Sequence, residues 1–486
     1  MSSNPKIYLD SHIVDILGCT IGRDQPVMRL EKAYELVSLI PDECFLDDNT
    51  VFFNPFCKAG EILLAAALRT CVVKKQRGSP LASFEEILSE LRSERYFGLS
   101  IDERHYYLAK RTLFGNEASH SEDVTKTIRR GTFLAESNGR LDKNIFQKEF
   151  EEMLNFIKSN RDGKKVIAVG NPPYQESDGG GTGKSAIPVY NLFVDQLILA
   201  PIEQFLVVIP SRWFAGGKGL DKFREKILGS RHLKSITNFS NSSEVFPTVD
   251  INGGVCFLQY DKEADYNVFD YISNGETHVI DASNLDILPD DPLGIEVVRG
   301  LRAKWSGGWV GDVAYPRNAF GVPSNLYKTR KLDAHQSKGA IKCYFERRQV
   351  YYVPKASITK NENLIQNYKV VVSKAAGGSK GNRRSTIPTN VMFLIEPGSI
   401  CSETYSVVKD FNSKAEACRF LEYIKSDWVR YLVGLRKNTQ NIKRDTWSWV
   451  PDFDLDKYAS EEDLYKHFSI PLEQRAHIKR KVKEWS

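Results

Sequence analysis

The sequence predicts an α/β protein: a doubly wound parallel sheet comes first along the chain, and a smaller α+β domain follows it. Short apolar runs rich in Val, Ile and Phe alternate with segments of helical periodicity between about residues 50 and 260. This alternation is typical of strand-helix repeats that build a parallel sheet. Ligands in such sheets bind beyond the carboxyl ends of the strands, so the residues after each run are candidates for a site. The predicted strands are Val51–Phe53, Tyr96–Ile101, Val166–Val169, Phe205–Ile209, Leu233–Phe239 and Gly254–Tyr260.

The segments between these strands carry their apolar residues on one helical face. The predicted helices are Glu61–Val73, Phe84–Arg92, Glu103–Leu113, Asn191–Leu199 and Leu220–Leu228. The alternation ends after a helical connector at Gly294–Lys304, where irregular segments rich in Tyr, Arg, Lys and Gly begin. We therefore predict a first domain over residues 1–305, with an N-terminal helical segment and the connector, a second domain over 306–450 and a helical tail over 451–486.

The length and composition are those of a globular protein with two cores. The chain has 486 residues, of which 41% are hydrophobic and 27% charged, and no tract reaches the roughly 18 apolar residues of a membrane span. The first residues, Met1–Lys6, are polar and do not resemble a secretory leader. The eight cysteines are scattered without a C-x-x-C pair, so neither a disulfide framework nor a metal site is expected. These features predict a cytoplasmic protein.

Positive charge is concentrated in the C-terminal half of the chain. Residues 321–450 hold 23 Lys and Arg against 10 Asp and Glu, whereas the whole chain has a formal net charge of +5. A basic block of this size favours a polyanionic partner such as nucleic acid, although a solvated basic face without a ligand is also common.

The sharpest motif is Asn171-Pro172-Pro173-Tyr174, which follows the predicted strand Val166–Val169 after one glycine. The motif could bind a planar exocyclic amine as a substrate. The nitrogen lone pair of such an amine is delocalised and must localise before it can react. Asn171 offers a side-chain oxygen and Pro172 a backbone carbonyl as acceptors for the two N–H groups, and the two prolines stiffen the loop. Tyr174 offers a flat face to a base swung out of a duplex. The alternative is that the motif is only a turn.

With this motif, the sequence resembles the adenine-N6 DNA methyltransferases of restriction-modification systems. The order is that of the gamma class, TaqI-like branch: the cofactor motif precedes N-P-P-Y and the target-recognition domain comes last. The resemblance covers about residues 25 to 260 by motif. It implies a Rossmann-like methyltransferase sheet, S-adenosylmethionine as cofactor and transfer of a methyl group to adenine N6 in double-stranded DNA after base flipping.

The resemblance also implies a cofactor loop at residues 54–60. Pro55, Cys57 and Gly60 match the family's motif, whereas Asn54 stands where an acid is usual and Lys58 where glycine is common. Gly60 permits close approach of the backbone to a ligand at the start of a helix.

Two further positions of the cofactor site depart from the family's pattern. Ser100 stands in place of the acid that would hold the cofactor ribose, and Asp102 is the possible substitute. Thr132 stands in place of the acid that would hold the adenine amine, and Phe133 is still able to pack on the adenine ring. These four residues belong to the predicted cofactor site, which also contains Asn54, Pro55, Cys57, Gly60 and Asn171.

A second aromatic residue is expected to stack on the target base. Phe246 occupies the place where the family keeps an aromatic against the flipped base, and we predict it as the partner of Tyr174. A plain core position is the alternative interpretation of Phe246. The segment Ser177–Ser185 resembles a phosphate loop but has Asp178 where that motif needs glycine. We interpret it as a loop that closes over DNA, with Lys184 on a phosphate.

The second domain supplies the predicted DNA contacts. Cations would bind phosphates with salt-dependent affinity, and Arg, Asn or Gln would contact base edges. For any one residue, a solvated surface role is the alternative. The predicted DNA-binding residues are Arg317, Arg347, Arg348, Lys380, Arg383, Arg384, Arg436, Lys437, Asn438 and Gln440.

These observations predict a site-specific adenine methyltransferase that acts on double-stranded DNA, with a separate restriction endonuclease subunit as a possible partner. Two alternatives remain open. N-P-P-Y also suits methylation of an RNA adenine or a protein glutamine amide. The missing acids at Ser100 and Thr132 instead favour a DNA-binding protein that kept the fold with weak or no catalysis.

Overall fold

The computed structural model describes residues 27–75, 84–118, 126–131, 142–159, 163–176, 187–216, 219–251, 253–283, 285–329, 332, 339–375, 386–437, 441–456 and 460–486. The chain divides into two compact units, residues 1–286 and 287–486. Within the described residues, no helix has the length and apolar character to cross a membrane.

The first unit is built on a nine-stranded sheet, accompanied by a separate pair of short strands, β5 and β6. Its strands are β1 (Thr50–Cys57), β2 (Tyr96–Ser100), β3 (Ile128–Arg130), β4 (Lys165–Gly170), β5 (Gln175–Glu176), β6 (Ile187–Pro188), β7 (Gln204–Pro210), β8 (Leu233–Phe239), β9 (Val255–Asp261), β10 (Phe269–Ser273) and β11 (Glu276–Ile280). The spatial order is β11-β10-β8-β9-β7-β4-β1-β2-β3.

The chain order in this sheet reverses next to β1, which pairs in parallel with β2 on one side and with β4 on the other. The sequence proceeds outward from β1 through β2 to β3, and in the opposite direction from β4 to β7. The predicted doubly wound α/β sheet is therefore confirmed. Ligands of such sheets bind at this reversal, beyond the carboxyl ends of the two central strands.

Two strands depart from the predicted parallel arrangement, and one of them, β11, pairs antiparallel with β10 at the edge of the sheet. β9 lies antiparallel between β7 and β8. A parallel return needs a crossover, usually a helix, whereas the described part of the connection from β8 to β9 contains only the short 3-10 helix Ser242–Glu244.

Helices cover both faces of the sheet, as the apolar strands require. On one face Phe53 and Phe56 stack on Phe150 and Phe146, with ring centroids 5.6 and 5.4 Å apart. On the other face Phe52 belongs to a core cluster that also contains residues of the helices at 30–37 and 61–74. The helices of this unit are α1 (Leu30–Val37), α2 (Asp42–Leu46), α3 (Glu61–Lys74), α4 (Phe84–Leu91), α5 (Glu103–Ala118), α6 (Lys143–Ser159), α7 (Tyr190–Leu199) and α8 (Asp221–Leu228).

The second unit is α+β and contains two three-stranded sheets, β13-β12-β16 and β15-β14-β17. Its strands are β12 (Ala340–Tyr344), β13 (Val350–Pro354), β14 (Tyr368–Ser373), β15 (Met392–Ile395), β16 (Ser399–Cys401) and β17 (Tyr405–Phe411). Its helices are α9 (Pro292–Lys304), α10 (Val310–Val313), α11 (Leu326–Thr329), α12 (Lys414–Lys425), α13 (Asp427–Arg436), α14 (Glu461–His467) and α15 (Leu472–Trp485).

The boundary between the units lies at 286/287, whereas the sequence places it at 305/306. The predicted connector, α9, belongs to the second unit because it packs on α13: a Cβ added to Gly294 would collide with a methyl group of Leu435. The predicted tail is not separate either. Trp485 of α15 stacks on Tyr431 of α13 with ring centroids 5.5 Å apart.

A buried carboxylate joins three helices of the second unit. Asp291, which directly precedes α9, accepts hydrogen bonds from the Tyr431 hydroxyl at 2.7 Å and from Nε2 of His477 at 2.8 Å. Burial alone would raise the pKa of Asp291, but the contacts with His477 and Tyr431 outweigh it and hold the pKa below its ordinary value. The ionised carboxylate therefore stabilises the packing of α9, α13 and α15.

We expect Asp291→Asn to lower the unfolding free energy of the second unit by about 2–4 kcal/mol at pH 7. Because the folded pKa is depressed, this contribution is present above the unfolded pKa and is lost as pH falls through the folded pKa. The difference from wild type should therefore shrink at pH 3.5. Urea denaturation followed by Trp fluorescence reports this unit, since six of the seven Trp lie in residues 305–485.

The matched control is Glu296→Gln, an acid-to-amide change on the exposed face of α9. An equal loss in both variants, or a loss in Asp291→Asn that does not depend on pH, would contradict the role given to this carboxylate.

Candidate active site

The loop after β1 and the N-P-P-Y loop after β4 meet at the sheet's reversal point. The two strands are in parallel register, with Phe53 opposite Ala168. They approach so closely that a Cβ on Gly170 would lie 2.8 Å from the Phe56 ring and 3.1 Å from Oδ1 of Asn54. The glycine before N-P-P-Y is thus required by packing, and it brings both motifs to one edge of the sheet.

All four residues of the N-P-P-Y motif are buried. The Asn171 side chain is 1% exposed and follows the last residue of β4. The Tyr174 carbonyl accepts from the backbone N–H of Val189 at 3.1 Å, which ties the end of the motif to the start of α7. The motif is therefore a fixed loop at the carboxyl end of a strand, where the sequence placed it.

Tyr174 and Phe246, the predicted stacking pair, are in contact with each other. Their ring centroids lie 6.2 Å apart at an interplanar angle of 74°, in edge-to-face geometry. Phe246 is 0% exposed and both rings belong to the core cluster of this unit. In this conformation Phe246 is a core residue, which was the alternative interpretation. A base could contact its ring only if residues 245–247 moved.

The Tyr174 hydroxyl is buried and has no hydrogen-bond partner among the described residues. Burial raises the pKa of Tyr174 well above its ordinary value. The side chain is consequently neutral, and its buried O–H is a donor that a ligand can satisfy.

Within the predicted cofactor loop, Asn54 has a local role. Its Oδ1 accepts from the backbone N–H of Phe56 at 3.0 Å, beside an irregularity in the pairing of β1 with β2 between Asn54 and Cys57. The amide oxygen therefore shapes the turn after β1, and it lies where the family's acid would otherwise stand. Pro55 and Cys57 are buried within β1, and burial raises the pKa of the Cys57 thiol.

Gly60 ends the loop with φ +86° in the left-handed region, directly before α3. A Cβ at this position would lie 3.0 Å from Cγ of Leu113 in α5. The position therefore needs glycine for both its backbone angle and its space. This geometry leaves the first N–H groups of the 14-residue helix α3 at the carboxyl end of β1.

Ser100 and Asp102 follow the neighbouring strand. Cys57 pairs with Ser100 across β1 and β2, so the two loops share one edge. The Ser100 hydroxyl is fully buried and has no hydrogen-bond partner among the described residues. Asp102 caps α5, because its Oδ1 accepts from the N–H and from Nδ1 of His105 at 2.8 and 2.7 Å. The predicted residues Thr132 and Phe133 lie outside the described residues.

Two buried charges in this site have no counterpart in the predicted set of binding residues. Lys58 and Glu61 are each 1% exposed. Burial lowers the pKa of Lys58 to about 7, and burial raises the pKa of Glu61. The signal for both was in the sequence, since they are the only charged residues in an otherwise apolar stretch, residues 51–68.

The residues at this edge have polar atoms to offer a cofactor such as S-adenosylmethionine. Acids are absent at Asn54 and Ser100, yet two buried polar atoms, Oγ of Ser100 and Oε2 of Glu61, have no partner among the described residues. Buried polar atoms of this kind are normally satisfied, so a polar ligand at this edge would complete their hydrogen bonding.

The predicted DNA-binding residues of the second unit differ in exposure. Arg347 and Arg348 are exposed on a turn before β13, and Arg348 donates to the Asn390 carbonyl at 2.6 Å. Arg317 donates to Glu403 at 2.6 Å. Arg436 donates to the Asp445 carbonyl at 2.8 Å.

Lys437 departs from the prediction because it is 3% exposed, and burial lowers its pKa to about 8. In this position its ammonium cannot contact a phosphate. The remaining predicted DNA contacts lie outside the described residues; they are Lys184, Lys380, Arg383, Arg384, Asn438 and Gln440.

A cleft of about 630 Å³ in the second unit contains cations that the sequence prediction missed. Lys443 and Arg444 line it together with Arg317, Lys374 and Asp312. Arg444 is held in place by donating from Nε to the Gly311 carbonyl at 2.8 Å. Both missed residues lie within four positions of Gln440, the last of the predicted DNA-binding residues.

Comparison with known proteins finds similarity to methylases within the first unit. Residues 94–246 match the Eco57I restriction-modification methylase family. This segment contains β2, the N-P-P-Y loop and Phe246. The resemblance to the methylases of restriction-modification systems is thereby confirmed.

Individual relatives are distant in sequence. Over 239 residues the chain is 24% identical to an uncharacterized adenine-specific methylase of Mycoplasma pneumoniae, a match that covers 48% of this chain and 55% of that protein. The chain thus spans about half the length of this curated relative. Among solved structures, the type IIL restriction-modification enzyme MmeI in complex with DNA is 11% identical with a TM-score of 0.46, over 90% of this chain and 67% of that one. The type IIG restriction endonuclease BpuSI is 12% identical with a TM-score of 0.42, over 94% and 62% of the two chains.

We expect Gly60→Ala to lower the unfolding free energy by about 2–4 kcal/mol, because it adds both a strained backbone angle and a contact with Leu113. Gly275→Ala is the control: Gly275, in the turn between β10 and β11, also has positive φ, +78°, but an added Cβ would meet nothing within 4 Å. Thermal denaturation followed by circular dichroism compares the two variants. Equal losses would show that space at Gly60 does not matter.

Proposed function

We propose that this protein transfers a methyl group from S-adenosylmethionine to adenine N6 in double-stranded DNA, as the modification enzyme of a restriction-modification system. The observation that carries the proposal is the position of N-P-P-Y. It directly follows β4 at the reversal point of the sheet, beside the loop after β1, and it lies within the segment that matches the methylase family.

In this proposal the chain's own residues orient the amine. The Asn171 amide oxygen and the Pro172 carbonyl accept the two N–H groups of the target, so that the nitrogen lone pair localises toward the methyl donor. Neither proline has an N–H that would compete as a donor. Bound S-adenosylmethionine supplies the electrophilic methyl group. Most of the rate enhancement then comes from orientation within a preformed loop.

The target adenine must leave the duplex to reach a loop that is buried to this extent. Tyr174 would stack on the extruded base and Phe246 would support it from the other side after residues 245–247 move. The unpartnered Tyr174 hydroxyl gives the ring a polar edge at the site. The cofactor would lie along the loop 57–60, Ser100 and Asp102, with Thr132 and Phe133 completing the adenine side.

The second unit would supply the duplex contacts. Its exposed cations, Arg347 and Arg348 on the turn before β13 and Arg317 at the cleft, would bind phosphates. The residues that line the cleft carry both signs of charge, because Asp312 and Asp445 accompany the cations. The cleft is therefore suited to contacts of defined geometry as well as to general attraction of a polyanion.

We expect the wild-type protein to transfer labelled methyl groups from S-adenosylmethionine to unmethylated genomic DNA, with N6-methyladenine as the product found by nucleoside mass spectrometry. Asn171→Ala should lower the rate by about 100-fold or more, because one of two acceptors is lost in the transition state. Cofactor affinity should change far less.

Asn144→Ala, on the exposed first turn of α6, is the control for loss of an asparagine. Wild-type cofactor binding without transfer to DNA would redirect the search to RNA or protein amides. Absence of cofactor binding, with and without DNA, would favour a DNA-binding protein without catalysis.

We expect Arg347→Gln to weaken duplex binding and to reduce the slope of log affinity against log salt by about 0.9, the value for one phosphate contact. Arg347 is exposed on the turn before β13. Fluorescence anisotropy at several salt concentrations measures the slope. Arg419→Gln makes the same charge change at an arginine paired with Asp456, and an equal change of slope in that control would argue against a specific contact by Arg347.

A further inference from the structure

Two opposite charges are buried on either side of Gly60, at the edge of the sheet where the cofactor is expected. Lys58 lies two residues before Gly60 and Glu61 directly after it, and each side chain is 1% exposed. The Lys58 ammonium lies 5.8 Å from the centroid of the Tyr174 ring, so it points toward the N-P-P-Y loop. Both charges are therefore inside the site and not on its rim.

Glu61 is incompletely satisfied by the protein. Its Oε1 accepts from the backbone N–H of Met28 at 3.4 Å, which is a long hydrogen bond. Its Oε2 is buried and has no hydrogen-bond partner among the described residues. A buried carboxylate oxygen without a partner is costly for a fold to keep, and an ordered water or a bound ligand normally completes its hydrogen bonding.

The Lys58 and Glu61 charges also influence each other, although burial is the larger effect on both pKa values. The turn itself depends on Asn54 and on the positive φ of Gly60, and backbone N–H groups of Ala59 and Glu61 also stabilise the charged form of the Glu61 carboxylate. Alanine or glycine at residue 58 would fit the same backbone at lower desolvation cost. A ligand that carries a positive and a negative charge close together would explain why Lys58 and Glu61 are both buried at this edge.

We propose that Lys58 and Glu61 form a charged clamp for the zwitterionic α-amino-acid end of the methyl donor, with Lys58 facing its carboxylate and Glu61 facing its ammonium. This inference rests on the proposed function. The amino-acid end is the part of S-adenosylmethionine that places an ammonium and a carboxylate on one carbon, whereas its ribose and adenine are neutral. The buried hydroxyl of Ser100, on the strand next to this loop, is then left for the neutral nucleoside part.

The clamp can be tested on the wild-type protein alone, by measuring the affinities of four adenosine compounds with isothermal titration calorimetry in the absence of DNA. S-adenosylhomocysteine should bind at least tenfold more tightly than 5′-methylthioadenosine, which lacks the amino-acid end. S-adenosylmethionine should bind at least tenfold more tightly than its decarboxylated form, since a charge-assisted contact in a buried site contributes about that factor or more. Equal affinities within either pair would overturn the clamp.

Two variants separate the roles of the charges. Lys58→Met should abolish the preference for S-adenosylmethionine over its decarboxylated form, while its affinity for 5′-methylthioadenosine changes less than about threefold. Glu61→Gln should keep the carboxylate preference and weaken binding of both forms by about tenfold, because both forms retain the ammonium. Lys148→Met, an exposed lysine near Glu152 on α6, is the control for loss of a lysine.

The outcomes distinguish the clamp from the proposed function. Variants that weaken 5′-methylthioadenosine and S-adenosylhomocysteine equally would overturn the clamp and indicate a structural role for the pair. A wild-type protein that binds none of the four adenosine compounds would overturn the proposed function and the clamp together. Binding that discriminates as predicted supports both, and it does so without any measurement of methyl transfer.

Discussion

The candidate site depends on the close parallel approach of β1 and β4 at the point where the chain order of the sheet reverses. Two strands that end side by side bring their following loops together, and the contact is so close at Gly170 that no side chain fits between Phe56 and Asn54. The sheet thus brings the loop of residues 57–60 and the N-P-P-Y loop to the same edge. Helices on both faces hold the strands in place, and stacked rings such as Phe53 on Phe150 fill the space between helix and sheet.

Within that frame, several polar side chains at the site stabilise the loops themselves. Asn54 bonds to the N–H of Phe56 and Asp102 caps α5 through His105. Only some of the polar residues at the site are therefore available to contact a ligand. Ser100 and Glu61 are the stronger candidates, because each has a buried polar atom without a partner among the described residues. A family motif predicts a binding role from the position of a residue in the sequence. The hydrogen bonds in the structure show whether that side chain still has a free donor or acceptor for a ligand.

The same distinction applies to the basic second unit. Some of its cations have structural roles: Lys369 is fully buried and donates to three backbone carbonyls, at 2.7 to 3.1 Å, and Lys437 is also buried. Others are exposed, such as Arg347 on a turn. Net charge along a segment thus indicates attraction to a polyanion, and only burial shows which cations can make the contact.

The sequence by itself determined the doubly wound sheet, most of the strand and helix positions and the place of N-P-P-Y, because alternating apolar runs and fixed-angle prolines act locally along the chain. Only the tertiary structure decided the remaining features, which depend on contacts between distant residues. The antiparallel insertion of β9, the assignment of α9 and α15 to the second unit, and the enclosure of Phe246 all follow from packing partners that no local pattern names. The burial of Lys58 and Glu61 was also decided by the tertiary structure. The sequence shows that they are charged residues in an apolar stretch, but their desolvation depends on the residues that the fold packs around them.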